Sequence, residues 1–384
     1  MTREFLLKNV CAVTPEGTLP GSALWIKDGK IFRVLPQDQL AADAQELPVY
    51  NGEGAVAVPG FVDLHIHGFA GFGPELGTPE ALWQMSLELA KHGVTAFCPT
   101  LYCGKPHDME ALLKKLAPAF GKEKGARLIG FHLEGPFISP HKPGVMKPED
   151  IAPVDFEAFQ RLYAAADGHI SNMTVAPELP GLDPLIDFCR EHHILLQGGH
   201  TNATYDEFLA GAARGITHAT HLFNAMSPFT HRAPGAAGAV LMHAGISCEF
   251  IGDGRHFHPD IVSFLRTVKP IENLVLITDA LLPTAQKKPP FFANGEEVVF
   301  EGGVWKRKTD KVIAGSALTM AQGFKNLLDF GYTLAQASAL ASTNPARIIG
   351  LKEHGRLAEG YAADIVLLDA NFVPQTVFIG GQKI

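Results

Sequence analysis

Between residues 61 and 279, apolar runs of strand length alternate with segments of helical spacing, and this alternation narrows the possible folds more than any other feature of the chain. The runs are Phe61 to His67, Val94 to Thr100, Leu128 to Glu134, Ile170 to Pro177, Ile194 to His200, Ile216 to Phe223, Ile246 to Gly252 and Leu274 to Asp279. Helical patterns lie between them, among them Pro79 to His92, Met109 to Phe120, Phe156 to Ala166, Pro184 to His192, Tyr205 to Ala213 and Pro259 to Val268. Repeated strand–helix units require a parallel sheet covered by helices. Eight of them in a segment this short predict a closed (β/α)8 barrel of the TIM type rather than an open doubly wound sheet.

The flanks read differently. Phe5 to Val13, Ala23 to Ile26 and Lys30 to Leu35 after the turn Asp28-Gly29 are short alternating segments, and so are Ala363 to Asp369 and Thr376 to Ile379. The expected division is therefore a small β-sandwich domain built from both termini, residues 1–57 and 350–384, around a barrel of residues 58–349. Within the latter, Asn294-Gly295 and Gly302-Gly303 punctuate a β-ribbon insertion at about 291–314, and two helices follow, Ala317 to Phe330 and Leu334 to Ile349.

Barrel enzymes carry their chemistry at the C-terminal ends of the strands. Here those ends carry His65 and His67, then Glu134, His200, His221 and Asp279. His65 and His67, two residues apart on a strand, leave the same face, which is a chelating geometry. Four histidines and two carboxylates at strand ends suit a divalent ion, zinc or iron(II), with three protein ligands and one open position. Glu134, His200 and His221 can form such a trio. His65 and His67 then hold a second ion, with Glu134 bridging, or orient the first site. A bound divalent ion lowers the pKa of its water towards about 7. Asp279 is placed to shuttle the proton, because amide hydrolysis deprotonates a water and protonates a leaving nitrogen.

The remaining composition excludes several classes. A net charge of −8 without a Lys/Arg run argues against nucleic acid, and an anionic substrate must be held by local basic residues. No apolar stretch reaches 18 residues, and the run in Met1 to Lys8 is too short for a signal peptide, so a soluble, cytoplasmic protein without membrane contact is expected. The five scattered cysteines, Cys11, Cys98, Cys103, Cys189 and Cys248, read as reduced thiols. His218, three residues before His221, is read as structural or outward-facing, His258 as supporting at best, and Cys98 and Cys103 as buried thiols rather than ligands.

The motifs His65-Ile66-His67, His132-Leu133-Glu134-Gly135-Pro136-Phe137, Gly199-His200-Thr201-Asn202-Ala203, Thr220-His221-Leu222-Phe223-Asn224-Ala225-Met226 and Thr278-Asp279-Ala280 together resemble the N-acetylglucosamine-6-phosphate deacetylases of the amidohydrolase superfamily. The resemblance runs from about residue 5 to the end. It implies a barrel enzyme that hydrolyses the N-acetyl group of a phosphosugar, with one or two divalent ions per subunit. By motif it places metal on Glu134, His200 and His221, and puts His65 and His67 at a second-metal position that only some members keep. It makes Asp279 the catalytic acid/base, His256 in Asp253-Gly254-Arg255-His256 the group that polarises the acetyl carbonyl, and Asn224, Ala225 and Arg232 the substrate-binding segment. Arg232 would reach the neighbouring subunit's site, which implies a homodimer. One departure stands out: Gly144-Val145-Met146 occupies the place of a family Gly-x-His, and Met146 cannot donate a hydrogen bond to a sugar hydroxyl. That leaves sugar recognition open, with His141 as a substitute donor if the loop folds differently. Amidohydrolases of cyclic amides or nucleobases are a second reading, but many of the former use a strand-four lysine, and Ile170 to Pro177 contains none. A non-catalytic barrel is a third; it would have lost ligands, and every required position is filled.

Overall fold

A computed structural model describes residues 4–40 and 43–384, so the parts of the terminal readings that fall on residues 1–3, 41 and 42 lie outside the described residues. The alternation closes into a barrel. Its strands are β1 (Phe61–Ile66), β2 (Val94–Leu101), β3 (Phe131–Glu134), β4 (Ile170–Val175), β5 (Leu195–Gly198), β6 (His218–Ala219), β7 (Ser247–Ile251) and β8 (Leu274–Ile277), each parallel to the next. Every residue of β1, β2, β3 and β8 is buried, which explains why these strands read as continuous apolar runs. The barrel closes beyond the paired residues, where Asp279 N donates to His65 O at 2.9 Å and His67 N to Ala280 O at 3.0 Å.

The covering helices follow from local chemistry. Pro79–Lys91 starts at Thr78, whose hydroxyl accepts from Ala81 N, and turns Leu82, Met85 and Leu89 onto the barrel. Tyr205–Arg214 opens with a reciprocal cap between Thr204 and Glu207. One helix, Gly235–Met242, went unread in the sequence because Gly235 to Leu241 are all buried, which removes the polar face that gives a helix its period. The third strand also begins later than expected, since Arg127–Leu128 forms a separate short strand against β2.

Strands from both termini form one eight-stranded sheet, in which Val56–Pro59 pairs antiparallel with Ile365–Leu368. Irregular register in Glu4–Thr14 at Leu7/Val10 and Val10/Ala12 bends this sheet around its own core, which includes Phe5, Leu7, Leu24, Ile26, Ile365 and Phe378. This is the sandwich-type unit expected of the two flanks. Arg127 joins it to the barrel through Asp364, at 2.5 and 2.9 Å.

The insertion is a four-stranded antiparallel ribbon, Phe291–Ala293, Glu296–Glu301, Val304–Arg307 and Ile313–Ser316, whose last strand returns to the mouth of the barrel. The helix from Leu334 to Ile348 contains a wide turn at Ala339–Thr343, just ahead of Pro345, whose ring cannot take part in the regular ladder. All five cysteines are free, and all but Cys11 are buried. No helix among the described residues is long and apolar enough to cross a membrane.

Candidate metal centre

The six side chains picked out at strand ends meet at one point. His200 Nε2 and His221 Nε2 each lie 3.0 Å from Glu134 Oε1 and 3.2 Å from one another. His65 Nε2 is 3.5 Å from both Glu134 Oε1 and Asp279 Oδ1, and His67 Nε2 is 3.2 Å from Glu134 Oε2 and 3.4 Å from Asp279 Oδ1. Two ligand-type groups result, Glu134–His200–His221 and His65–His67–Asp279. The backbone leaves the strand ladder to present them: His200, His221 and Asp279 have φ of 45°, 26° and 49°, and so have Phe223 and Ala225 at 69° and 49°. Left-handed backbone at residues other than glycine costs on the order of 1–3 kcal/mol each and gathers at functional sites.

The donor set tests whether a cation belongs there. His200 Nδ1 faces the carbonyl of Lys142 at 3.0 Å, and a carbonyl only accepts, so Nδ1 carries a hydrogen and, in the neutral ring, the Nε2 lone pair points at the Glu134 carboxylate. His65 repeats the pattern, with Nδ1 at 3.3 Å from the Glu249 carboxylate and Nε2 buried without a hydrogen-bond partner among the described residues. Lone pairs aimed at a carboxylate repel unless a positive charge lies between them, so the residues fit a divalent ion.

The electrostatics of the cluster draws in positive charge, which a proton on the imidazoles or a metal ion on their neutral form can supply. Burial opposes charge on His65, yet Glu134, Glu249 and Asp279 together push its pKa up to about 10, and Asp279 and Glu134 raise that of His67. Burial alone would raise the Glu134 carboxyl, but His65, His200 and His221 hold it well below the usual range. Asp279 is held low in the same way, burial being outweighed by His67 and His65. The centre favours positive charge.

The cavity above these groups is about 160 Å³ and is lined by His67, Tyr102, Glu134, Gly144 to Met146, His200, His221, Asn224, Ala225, His256, Asp279 and Ile313 to Gly315. Among the sequence-predicted residues it thus brings in Asn224, Ala225 and His256. Asp253 holds the His256 ring, accepting from Nδ1 at 2.7 Å and from the backbone N at 2.9 Å. Although burial disfavours the imidazolium, Asp253 raises the His256 pKa. Met146 is buried in the wall with Cys103 and Ile138. His141 is exposed and does not line the cavity, so the substitute donor expected of it is not there. Arg232 is exposed outside the cavity of its own chain. His258 accepts from Asp260 N and caps the helix Pro259–Val268. His218 is buried, 2.6 Å from Ser247 Oγ, so of its two expected placements the structural one holds. Cys98 and Cys103 are buried outside both ligand-type groups.

Four residues next to the centre escaped the sequence reading. Glu249, from the middle of β7, is fully buried below His65. Its signal was a carboxylate inside an apolar strand, a residue type almost never buried unpaired. Tyr102 stacks on His67, rings 3.8 Å apart and nearly coplanar, with its hydroxyl buried and unpartnered. Asp63 accepts from Thr278 Oγ1 at 2.6 Å, and burial pushes its carboxyl up to about 7. Asp253 stands out in the sequence only as a neighbour of His256.

Comparisons with known proteins agree with this geometry. Residues 56–384 match the model of the Amidohydrolase family. The chain is 30% identical over 383 residues to the N-acetylglucosamine-6-phosphate deacetylase of Lysinibacillus sphaericus, covering 99% of this chain and 97% of that protein. It is likewise 30% identical over 373 residues to the N-acetylgalactosamine-6-phosphate deacetylase of Escherichia coli O157:H7, covering 96% of each. Its fold superimposes with a TM-score of 0.91, at 30% identity and 99% coverage of both chains, on an Asp-to-Ala mutant of the Mycobacterium smegmatis N-acetyl-D-glucosamine-6-phosphate deacetylase in complex with N-acetyl-D-glucosamine-6-phosphate. With the ligand-type groups at the barrel mouth and this full-length likeness together, the chain belongs to the amidohydrolase family, on its N-acetylglucosamine-6-phosphate deacetylase branch.

Proposed function

We propose that this protein hydrolyses the acetamide of N-acetyl-D-glucosamine 6-phosphate to D-glucosamine 6-phosphate and acetate. The observation that carries the reading is the convergence of Glu134, His200 and His221 on one point beneath a cavity that Asp279 and His256 also face. Glu134, His200 and His221 would hold zinc or iron(II), and His65 and His67, with Asp279 beside them, a second ion. Bound there, the metal supplies Lewis acidity and an acidified water.

The chain's own residues do the rest. Asp279, kept ionised by His67 and His65, takes a proton from the attacking water and returns it to the leaving nitrogen. His256, its Nδ1 committed to Asp253, keeps Nε2–H to donate to the acetyl oxygen as negative charge grows there. Asn224 and Ala225 form part of the sugar wall. The lining residues include no Lys or Arg, so the phosphate needs charge from outside this wall. Arg232 of a second copy would supply it in a homodimer. The protein acts in the cytoplasm, with the chain divided into a terminal domain of residues 1–57 and 350–384 and a barrel domain of 58–349.

The galactose epimer is the second reading, favoured by the relative from Escherichia coli and by the apolar Met146 in the cavity wall. Acetate release from both 6-phosphates and from unphosphorylated N-acetylglucosamine, with metal content measured on the same sample, tests the proposal. Preference for N-acetylglucosamine 6-phosphate by at least about tenfold is expected, which corresponds to about 1.4 kcal/mol. Preference for the epimer would transfer the substrate assignment, and a metal-loaded protein inert towards all three would end it.

A further inference from the structure

Below the metal centre the barrel interior is polar, where close-packed apolar layers are the rule. Thr100, His132, Thr174, Thr220 and Gln197 form a buried chain of hydrogen bonds that ends on Glu249: Thr100 Oγ1 to His132 Nδ1 at 3.1 Å, His132 Nε2 to Thr174 Oγ1 at 2.9 Å, Thr174 Oγ1 to Thr220 Oγ1 at 2.8 Å, Gln197 Nε2 to Thr220 Oγ1 at 2.9 Å and to Glu249 Oε1 at 3.1 Å. The other Glu249 oxygen lies 3.3 Å from His65 Nδ1, and His218 Nε2 stands 3.6 Å from Oε1. A carboxylate with no exposure is expensive to bury, by several kcal/mol in general terms. The proposed reaction does not touch it, and its carboxylate meets the ligand-type residues at His65.

We propose that Glu249 is a positioning residue that makes His65 a metal ligand. A carboxylate can only accept, so it fixes a hydrogen on His65 Nδ1 and, in the neutral ring that a metal requires, turns the Nε2 lone pair towards the point shared with His67 and Asp279. Gln197, donating to the opposite oxygen, keeps the Glu249 carboxylate from rotating away. The inference rests on the metal-dependent reading above and adds to it the residue on which the second ion depends. Carboxylate partners of metal-binding histidines are worth about 10- to 100-fold in affinity.

The test is zinc binding, titrated in chelator-buffered zinc for the unaltered protein, Glu249→Gln, His65→Ala and the double variant. Expected is a tight first equivalent in all four and a second equivalent weakened about 10- to 100-fold in Glu249→Gln. His65→Ala should lose that second equivalent, and adding Glu249→Gln to it should change nothing more. An unchanged second equivalent in Glu249→Gln, or losses that add in the double variant, would assign Glu249 a packing role and overturn the proposal. Should Glu249→Gln not fold, nitrogen-15 spectra of the zinc-loaded unaltered protein decide: a protonated Nδ1 on His65 supports the proposal, and an unprotonated Nδ1 overturns it. Unaltered protein that binds a single zinc also overturns it, while leaving the hydrolase reading intact. Protein that binds no zinc or iron(II) tightly removes the reading on which both stand.

Discussion

Two buried carboxylates, Glu134 at the mouth of the barrel and Asp364 at the seam with the terminal sheet, keep similar company and end in opposite states. Asp364 accepts from both terminal nitrogens of Arg127, from Gly380 N at 2.7 Å and, at 2.9 Å, faces His354 Nδ1. Each of its neighbours has a hydrogen to give. Glu134 faces three imidazole Nε2 atoms within 3.2 Å, and that of His200, in the neutral ring, presents a lone pair instead. A buried ionic cluster whose donors and acceptors match is complete and serves the fold, whereas one whose acceptors face each other is completed only by a cation.

The sharpest way to break this contrast is to neutralise the first carboxylate. Glu134→Gln should lose the tight metal equivalent and lower acetate release to the uncatalysed background, while the chain still unfolds cooperatively. Elemental analysis beside steady-state kinetics reads both. Retained metal with full turnover would show that Glu134 is as self-contained as Asp364. Next in size is Asp279→Asn, which keeps the trio and removes the proposed base. Turnover should fall about 10²- to 10⁴-fold with the metal of Glu134, His200 and His221 still bound. A fully active variant would take the proton transfer away from Asp279.

How much of this was legible in the sequence follows the same division. His65, His67, Glu134, His200, His221 and Asp279 could be read because a strand end is a position that pattern alone identifies, and their types are those of ligands. The barrel was legible for a related reason, since eight buried strands punctuated by amphipathic helices leave a periodic trace. Glu249 and Tyr102 were not, because what matters about them is whom they touch across the barrel, and contacts between β1 and β7 or between Tyr102 and His67 have no local signature. The helix Gly235–Met242 was lost for want of a polar face. His141 shows the converse limit: a histidine near the right place in sequence stands exposed on its loop, and only the path of the loop decides that.

The smallest effect belongs to the second carboxylate and concerns stability alone. Burial works against the Asp364 charge, but His354, Arg127 and Gly380 N outweigh it and hold the carboxyl below its ordinary value of 3.8. A carboxyl whose pKa is depressed by folding adds stability above the unfolded value, and that contribution disappears as pH falls through the folded value. Asp364→Asn removes an acceptor from Arg127, whose side chain is 33% exposed, so the cost is smaller than for a fully buried pair, about 2 kcal/mol. Denaturant melts at pH 7 should show that loss with metal content and turnover unchanged. Repeated at falling pH, the gap between the two proteins should hold down to about pH 4 and then close, because the parent's aspartate takes up the proton that makes it resemble the variant. A gap that persists unchanged to pH 2 would mean that the Asp364 charge contributes little. The seam would then be held by its other bonds, such as Gly60 N to Asp364 O at 2.9 Å and Ser342 Oγ to Pro59 O at 3.1 Å.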